Sequence, residues 1–172
     1  MCIRDRYNKL IKDQRDIVND RRDTLLDTGA AWDDLSYHNV ERAAELKKQG
    51  LSEETLEQAA REIMLFHLDN EWSEHLAYLD DVRESIHLRA IARESPIDEF
   101  HRMSIAAFGE LAERAVNKAR ETFDEVEITS EGAQLGEMGL HKPSATWTYM
   151  VNDNPLSSSG GSVMGSIVQM FR

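Results

Sequence analysis

Cysteine is nearly absent from this 172-residue chain, where a single residue, Cys2, stands close to the N-terminus. One thiol excludes a disulfide within the chain and any multi-cysteine zinc module, and it fits a reducing compartment. Proline is equally scarce: there are three, and none precedes Pro96. Nothing therefore interrupts helix formation over the first half on that account. Positive charge is the minority sign, with 20 Lys and Arg against 32 Asp and Glu and a formal net charge of −12. Nucleic acid is excluded as a partner, because phosphate contacts need a basic face. No run approaches the roughly 18 to 20 apolar residues of a membrane span, and the N-terminus lacks the apolar centre of a signal peptide. Any membrane role is peripheral. Phosphate-binding loops, an H-E-x-x-H zinc motif and a G-x-S-x-G elbow are missing as well, so no catalytic residue is assigned.

What the chain does have is helical rhythm. At 41% hydrophobic residues it can bury a core over part of its length. Met1–Arg6 reads as the translation of a sequencing-library adapter and is set aside from the fold. Leu10 and Ile11, Ile17 and Val18, Leu25 and Leu26 form doublets about seven apart, a stripe that seats a long helix over 7–28 until Gly29 ends it. Residues 29–52 read as a short helical connector. It has Ser36 as N-cap, Leu35 and Val40 as a hydrophobic staple, and Lys47, Lys48 and Gly50 at its close.

The same grammar restarts at Leu51 and Ser52, with Glu53 and Glu54 in the first turn and Leu56 placed to staple onto Leu51. No Gly or Pro follows before Pro96, so one helix runs from Glu53 to about Arg93, roughly 60 Å at 1.5 Å per residue. Trp72, Leu76, Leu79, Val82 and Ile86 place an apolar stripe along it. Ser95 as N-cap, Pro96 at the first helical position and Asp98 in the first turn start a return helix to about Glu125. Its stripe of Phe100, Met103, Ala107, Leu111 and Ala115 closes on the first, giving an antiparallel hairpin over 53–126. Trp72, Leu76, Leu79, Phe100, Phe108 and Leu111 are its expected packing residues. The fold class is all-α. Residues 127–172, rich in Gly and Ser, read as a flexible tail in which Trp147, Tyr149, Met150 and Val151 are apolar enough to dock on the helices or on a partner.

The bend between the two arms carries its own physics. From Ser85 to Arg93 there is no acid, while Arg89 and Arg93 lie beside His87, Leu88 and Ile91. Cations next to aliphatic side chains suit a contact that must hold many polypeptide sequences without reading one. The plainer reading is a solvated helix end whose cations offset the dipole. Glu84-x-x-His87 and Asp98-x-x-His101 also have the carboxylate-x-x-His spacing of di-iron bundles. Such a site needs carboxylates from two further helices, however, and both motifs crowd a turn open to water. No metal ligand is assigned, and His67 and His75 read as partly buried hydrogen-bonding residues.

The ordered pattern Trp72-x-Glu74-His75-Leu76, then Arg83-Glu84-Ser85-Ile86-His87-Leu88-Arg89, then Pro96-x-x-Glu99-Phe100 resembles the two-helix finger of SecA, the ATP-driven preprotein motor. Asp13-Gln14-Arg15 and Arg21-Arg22-Asp23 resemble the start of the SecA helical scaffold. Thr146 to Pro155 resembles the tail of the accessory second SecA paralogue of actinobacteria. The resemblance covers roughly residues 7 to 156. It implies a C-terminal portion of a larger motor, relaying ATP hydrolysis to protein export through the Sec channel and restraining the ATPase when idle.

It also implies that Leu88, Arg89, Ala90, Ile91, Ala92 and Arg93 form a finger tip touching the translocating chain. Ile91 stands where many members carry an aromatic residue. The implied partners are unfolded preprotein, the Sec channel and the motor's own nucleotide-binding domains. The implied location is cytoplasmic, peripherally on the inner face of the membrane. No cofactor belongs to this stretch; ATP and Mg are implied for the whole motor, and the stretch alone would be no enzyme. Residues 29–52 stand where most members insert a wing domain, and the cysteine-rich zinc tail of many housekeeping members is missing. A free-standing helical adaptor and a di-iron bundle enzyme are the alternatives from other classes.

Overall fold

The computed structural model describes residues 3–89 and 95–141, with side chains at 5–86 and 95–141. The described part is helical, as the periodicity predicts. In chain order it comprises α1 (Ile3–Asp27), α2 (Ala30–His38), α3 (Val40–Lys48), α4 (Glu53–Arg89), α5 (Pro96–Gly109) and α6 (Leu111–Glu125). A two-stranded antiparallel pair follows, β1 (Ile128–Thr129) with β2 (Gly132–Ala133), and then a 3-10 turn at Leu135–Met138.

α4 is the spine. Its 37 residues make a rod of about 55 Å, and α1, α2, α5 and α6 all lean on it. Its start follows the sequence grammar: Ser52 Oγ accepts from the Thr55 N–H at 3.1 Å, Glu53 and Glu54 meet the positive end of the dipole, and Leu56 is buried. α5 and α6 return antiparallel along it, and α1 lies in the groove beside α4 and α5.

Three buried clusters are stacked along this spine. The base cluster gathers Leu35, Leu46, Leu56, Ile63, Phe123 and Val126, among others. A middle cluster is built from Val18, Leu68, Trp72, Leu111 and Ala115, with Leu76 and Phe108 partly buried against it. An outer cluster holds Tyr7, Leu79, Val82, Ile86, Ile97 and Phe100, with the Tyr7 and Phe100 rings edge to face at 4.6 Å.

Several expectations need correction. The doublets of α1 do not both face inward: Val18 is buried and Leu25 half-buried, but Ile17 is 57% exposed and Leu26 is exposed too. Leu10 and Ile11 are both half-buried against the outer cluster, but adjacent helical residues point about 100° apart, so farther along the groove takes one of each pair, and the fully buried line runs Tyr7, Gln14, Val18. Residues 29–52 are helical as expected, but as two helices, which enter the core through Ala31, Leu35 and Leu46. The N-cap of α3 is Asn39, whose side chain accepts from the Arg42 N–H at 2.9 Å. Ser36 lies inside α2, and Val40 is 66% exposed and staples nothing. Ser95 occupies the N-cap position of α5, yet makes no side-chain capping bond; its carbonyl accepts from Asp98 and Glu99 instead. The return arm is two helices, divided at Gly109 and Glu110.

Residues 127–140 are also no loose tail. Ile128 and Leu135 are buried in the base cluster, and Glu62 of α4 accepts the Ala133 N–H at 3.2 Å. Gly132 permits this: its φ is +111°, and a Cβ there would stand 2.7 Å from a Glu62 carboxylate oxygen. Gly132→Ala is expected to cost about 1–3 kcal/mol through backbone strain and displacement of Glu62. Urea denaturation is the check, and a midpoint equal to that of the unaltered chain would show that residues 127–140 are not fixed at this glycine. Residues 142–172, including Trp147, Tyr149, Met150 and Val151, lie outside the described residues.

Candidate functional site

The finger-tip residues singled out in the sequence fall largely beyond description. Leu88 and Arg89 close α4 as helix, but their side chains, and all of Ala90, Ile91, Ala92 and Arg93, lie outside the described residues. The six packing residues are described. Trp72, Leu79, Phe100 and Leu111 are buried, and Leu76 and Phe108 are half-buried. Trp72 and Leu111 share the middle cluster with Leu76 and Phe108, whereas Leu79 and Phe100 belong to the outer one. Of the carboxylate-x-x-His pairs, Glu84 and Asp98 are exposed and His101 is half-buried; the His87 side chain lies outside the described residues.

What the structure brings together instead is a polar seam along α4, buried at His67, Glu71 and His75 and half-buried at Arg61 and Asp69, which joins it to α1 on one flank and to α6 on the other. Arg61 Nε donates to the Leu25 carbonyl of α1 at 3.0 Å, and His67 Nε2 shares a 2.7 Å hydrogen bond with Thr122 Oγ1 of α6. Asp69 pairs with Arg22 of α1. Glu71, only 1% exposed, receives Arg114 Nε at 2.9 Å and an ion pair from Lys118, both on α6. At the outer end, His75 Nε2 lies 2.9 Å from Gln14 Oε1. The Gln14 amide nitrogen donates to Ser104 Oγ of α5 at 3.0 Å. Three helices thus meet at one buried knot.

The protonation states follow from these surroundings. Burial acts to raise the Glu71 pKa, but the hydrogen bonds and charges of Lys118 and Arg114 outweigh it and hold the carboxyl below its ordinary value. Lys118 is raised in return, chiefly by its bond to Glu71. Burial lowers His67, helped by the Lys118 charge. Burial also lowers His75, to about 4, with Arg114 adding to the effect. His75 is therefore neutral near pH 7, and because Gln14 Oε1 can only accept, the proton sits on Nε2. Its Nδ1 is buried without a partner, the cheaper way to leave such a ring, since an acceptor rather than a donor goes unmet.

At the other end of the seam, α6 is clamped to α2 and α3. Arg120 grips Asp34 through two bonds of 3.0 and 2.7 Å, and Asn39 Nδ2 donates to Asp124 at 2.8 Å. Arg42 donates to the Val126 carbonyl at 2.8 Å. Sequence reasoning found His67 and His75 as hydrogen-bonding residues but missed Gln14, Glu71, Ser104, Arg114, Lys118 and Thr122. One signal was present: Glu71 falls between Leu68 and His75 at steps of three and four, on the buried stripe, where a carboxylate needs a cation. Among the described residues no helix is long and apolar enough to cross a membrane.

A long helix, a divided return arm and a bracing third helix, fixed by a buried polar seam, define a helical scaffold module. The family described as the SecA Wing and Scaffold domain matches residues 30–127, and the chain belongs to the SecA family. The protein translocase subunit SecA 2 of Corynebacterium jeikeium strain K411 is 96% identical over 167 residues, which is 97% of this chain and 22% of that protein. SecA 2 of Corynebacterium glutamicum strain ATCC 13032 is 59% identical over 96% of this chain and 22% of its own length. SecA 2 of Mycobacterium bovis BCG is 48% identical over 97% and 20%. The chain spans about a fifth of the length of these curated relatives.

Proposed function

We propose that this chain is the scaffold and finger portion of a SecA-type preprotein translocase, carrying work done at a nucleotide site elsewhere in the longer protein to a polypeptide moving through the Sec channel. The observation that carries the reading is the unbroken α4 rod. It runs about 55 Å from the clamped α2–α3 base to the bend, so displacement at one end reaches the other with little lost to bending. The sequence between the two arms holds Arg89 and Arg93 with Leu88 and Ile91, a mixture of cations and aliphatic side chains suited to a sliding contact with many sequences. The charge of −12 leaves nucleic acid an unfavourable partner. The membrane contact is peripheral, on the cytoplasmic side. ATP and Mg act in other parts of the protein, and this portion restrains that activity until substrate engages.

The test is site-directed crosslinking in the intact translocase, with an arrested preprotein in the channel. Ile91→Cys is expected to crosslink to the preprotein, and Ser130→Cys, beside the base, is not. Equal crosslinking from both positions, or none from Ile91→Cys, would overturn the reading.

A further inference from the structure

The return arm of the hairpin is held in two different ways along its length. Its inner half, α6, is tied to α4 through Arg114 and Lys118 on Glu71 and Thr122 on His67, and to α2 through Arg120 on Asp34. Its outer half, α5, sends its buried hydrogen bond from Ser104 to Gln14 of α1. The cores differ as well. Ile97 and Phe100 of α5 belong to the outer cluster, with Tyr7 and Leu79, while Leu111 and Ala115 of α6 belong to the middle one, with Val18 and Trp72. The division between these two clusters falls at the level of the Gln14, His75 and Ser104 knot.

The backbone breaks close to that level. α5 ends at Gly109, α6 begins at Leu111, and the Glu110 N–H is directed to the Phe108 carbonyl. Gly109 is exposed, and a Cβ on it would meet nothing within 4 Å. Close packing does not require a glycine there, so what the residue supplies is backbone freedom. Glu110 keeps near-helical dihedrals, φ −91° and ψ −12°, so the interruption is one residue long, and such an interruption is where motion concentrates when most of the buried side chains on either side belong to different clusters.

We propose that Gly109 and Glu110 form a hinge about which α5 moves as a unit against a fixed α6, and that the Gln14–His75–Ser104 knot is the latch that holds α5 in line. The latch makes the outer arm answer to α1. A shift of α1 that withdraws Gln14 releases Ser104 and leaves α5 held by the outer cluster and, at its last turn beside the break, by Phe108 against Trp72 and His75, whereas the clamps on α6 are untouched. The hinge is a property of these helices and does not depend on the export reading, so its test and the crosslinking test fail independently.

Amide hydrogen exchange on the full 172-residue chain, resolved by peptide, is the experiment. Gln14→Met keeps the volume and removes the latch; Ser104→Ala removes the hydroxyl from its α5 end, leaving the 3.5 Å bond from Gln14 Nε2 to the Ser104 carbonyl, and serves if the first variant does not fold. Each is expected to speed exchange in α5 by about tenfold while α6 stays within about twofold. Adding Gly109→Ala to Ser104→Ala, which stiffens the break without a clash, is expected to return α5 most of the way to its original protection. The hinge is overturned if α5 and α6 accelerate together, if α5 is unchanged in Ser104→Ala, or if Gly109→Ala restores nothing.

Discussion

Replacing Trp72 by Ala is expected to lower the stability of the chain by about 3–5 kcal/mol, the usual cost of emptying a large buried aromatic site. Trp72 is the largest side chain of the middle cluster. Its ring stands edge to face with Phe108 at 6.4 Å and tilted against His75 at 5.7 Å. The surrounding groups cannot collapse into the space, because Val18, Leu68 and Leu111 belong to three helices fixed by the seam on either side. In a domain of this size the loss corresponds to a fall in melting temperature of roughly 10 °C or more. Tyr37→Ala is the matching control: at 85% exposure it should change stability by no more than about 0.5 kcal/mol. Superimposable melts for Trp72→Ala and the unaltered chain would show that the hairpin is not held by this cluster.

Much of this architecture was legible because long-range order and local grammar agreed. α4 could be drawn from Ser52, the two glutamates after it and the lack of Gly or Pro before Pro96, since nothing in tertiary packing opposes a rod with one apolar stripe. The division of the return arm was invisible for a related reason. Phe100, Met103, Ala107, Leu111 and Ala115 keep their steps of three and four across it, so periodicity continues in phase through a break that Gly109 alone marks. Residues 127–140 misled because a strand of two residues is too short to show alternation. Their order comes from Ile128 and Leu135 in a core built by distant helices. Asn39 and Ser36 are chemically equivalent caps, and the choice between them is made by where Leu35 is buried. The seam was illegible for the same cause: Gln14 and Ser104 are 90 residues apart, and only the fold brings α1 against α5.

Acidification is expected to destabilise the chain through His75 before most carboxylates titrate. In the folded chain its pKa is about 4, and in the unfolded chain it returns to near 6.5, so between these values the unfolded state binds the extra proton. A base whose folded pKa is depressed adds stability that is complete above about pH 6.5, falls as the pH drops toward 4, and is gone below it. The full swing is about 3 kcal/mol, at 1.36 kcal/mol per pKa unit. A second proton would go to Nδ1, which is buried without a partner, and it would place a cation near Arg114. His67, also lowered by burial, and Glu71, held ionised by Lys118 and Arg114, lose stability in the same direction, so His75 does not account for all the acid sensitivity. His75→Gln separates its share: the amide still donates to Gln14 but cannot titrate. Urea unfolding at pH 7, 5.5 and 4.5 should therefore show a shallower decline for His75→Gln, with the gap between the two profiles widening toward pH 4.5. Parallel profiles would mean that His75 is protonated in the folded chain, and that the knot joining α1, α4 and α5 is open to water.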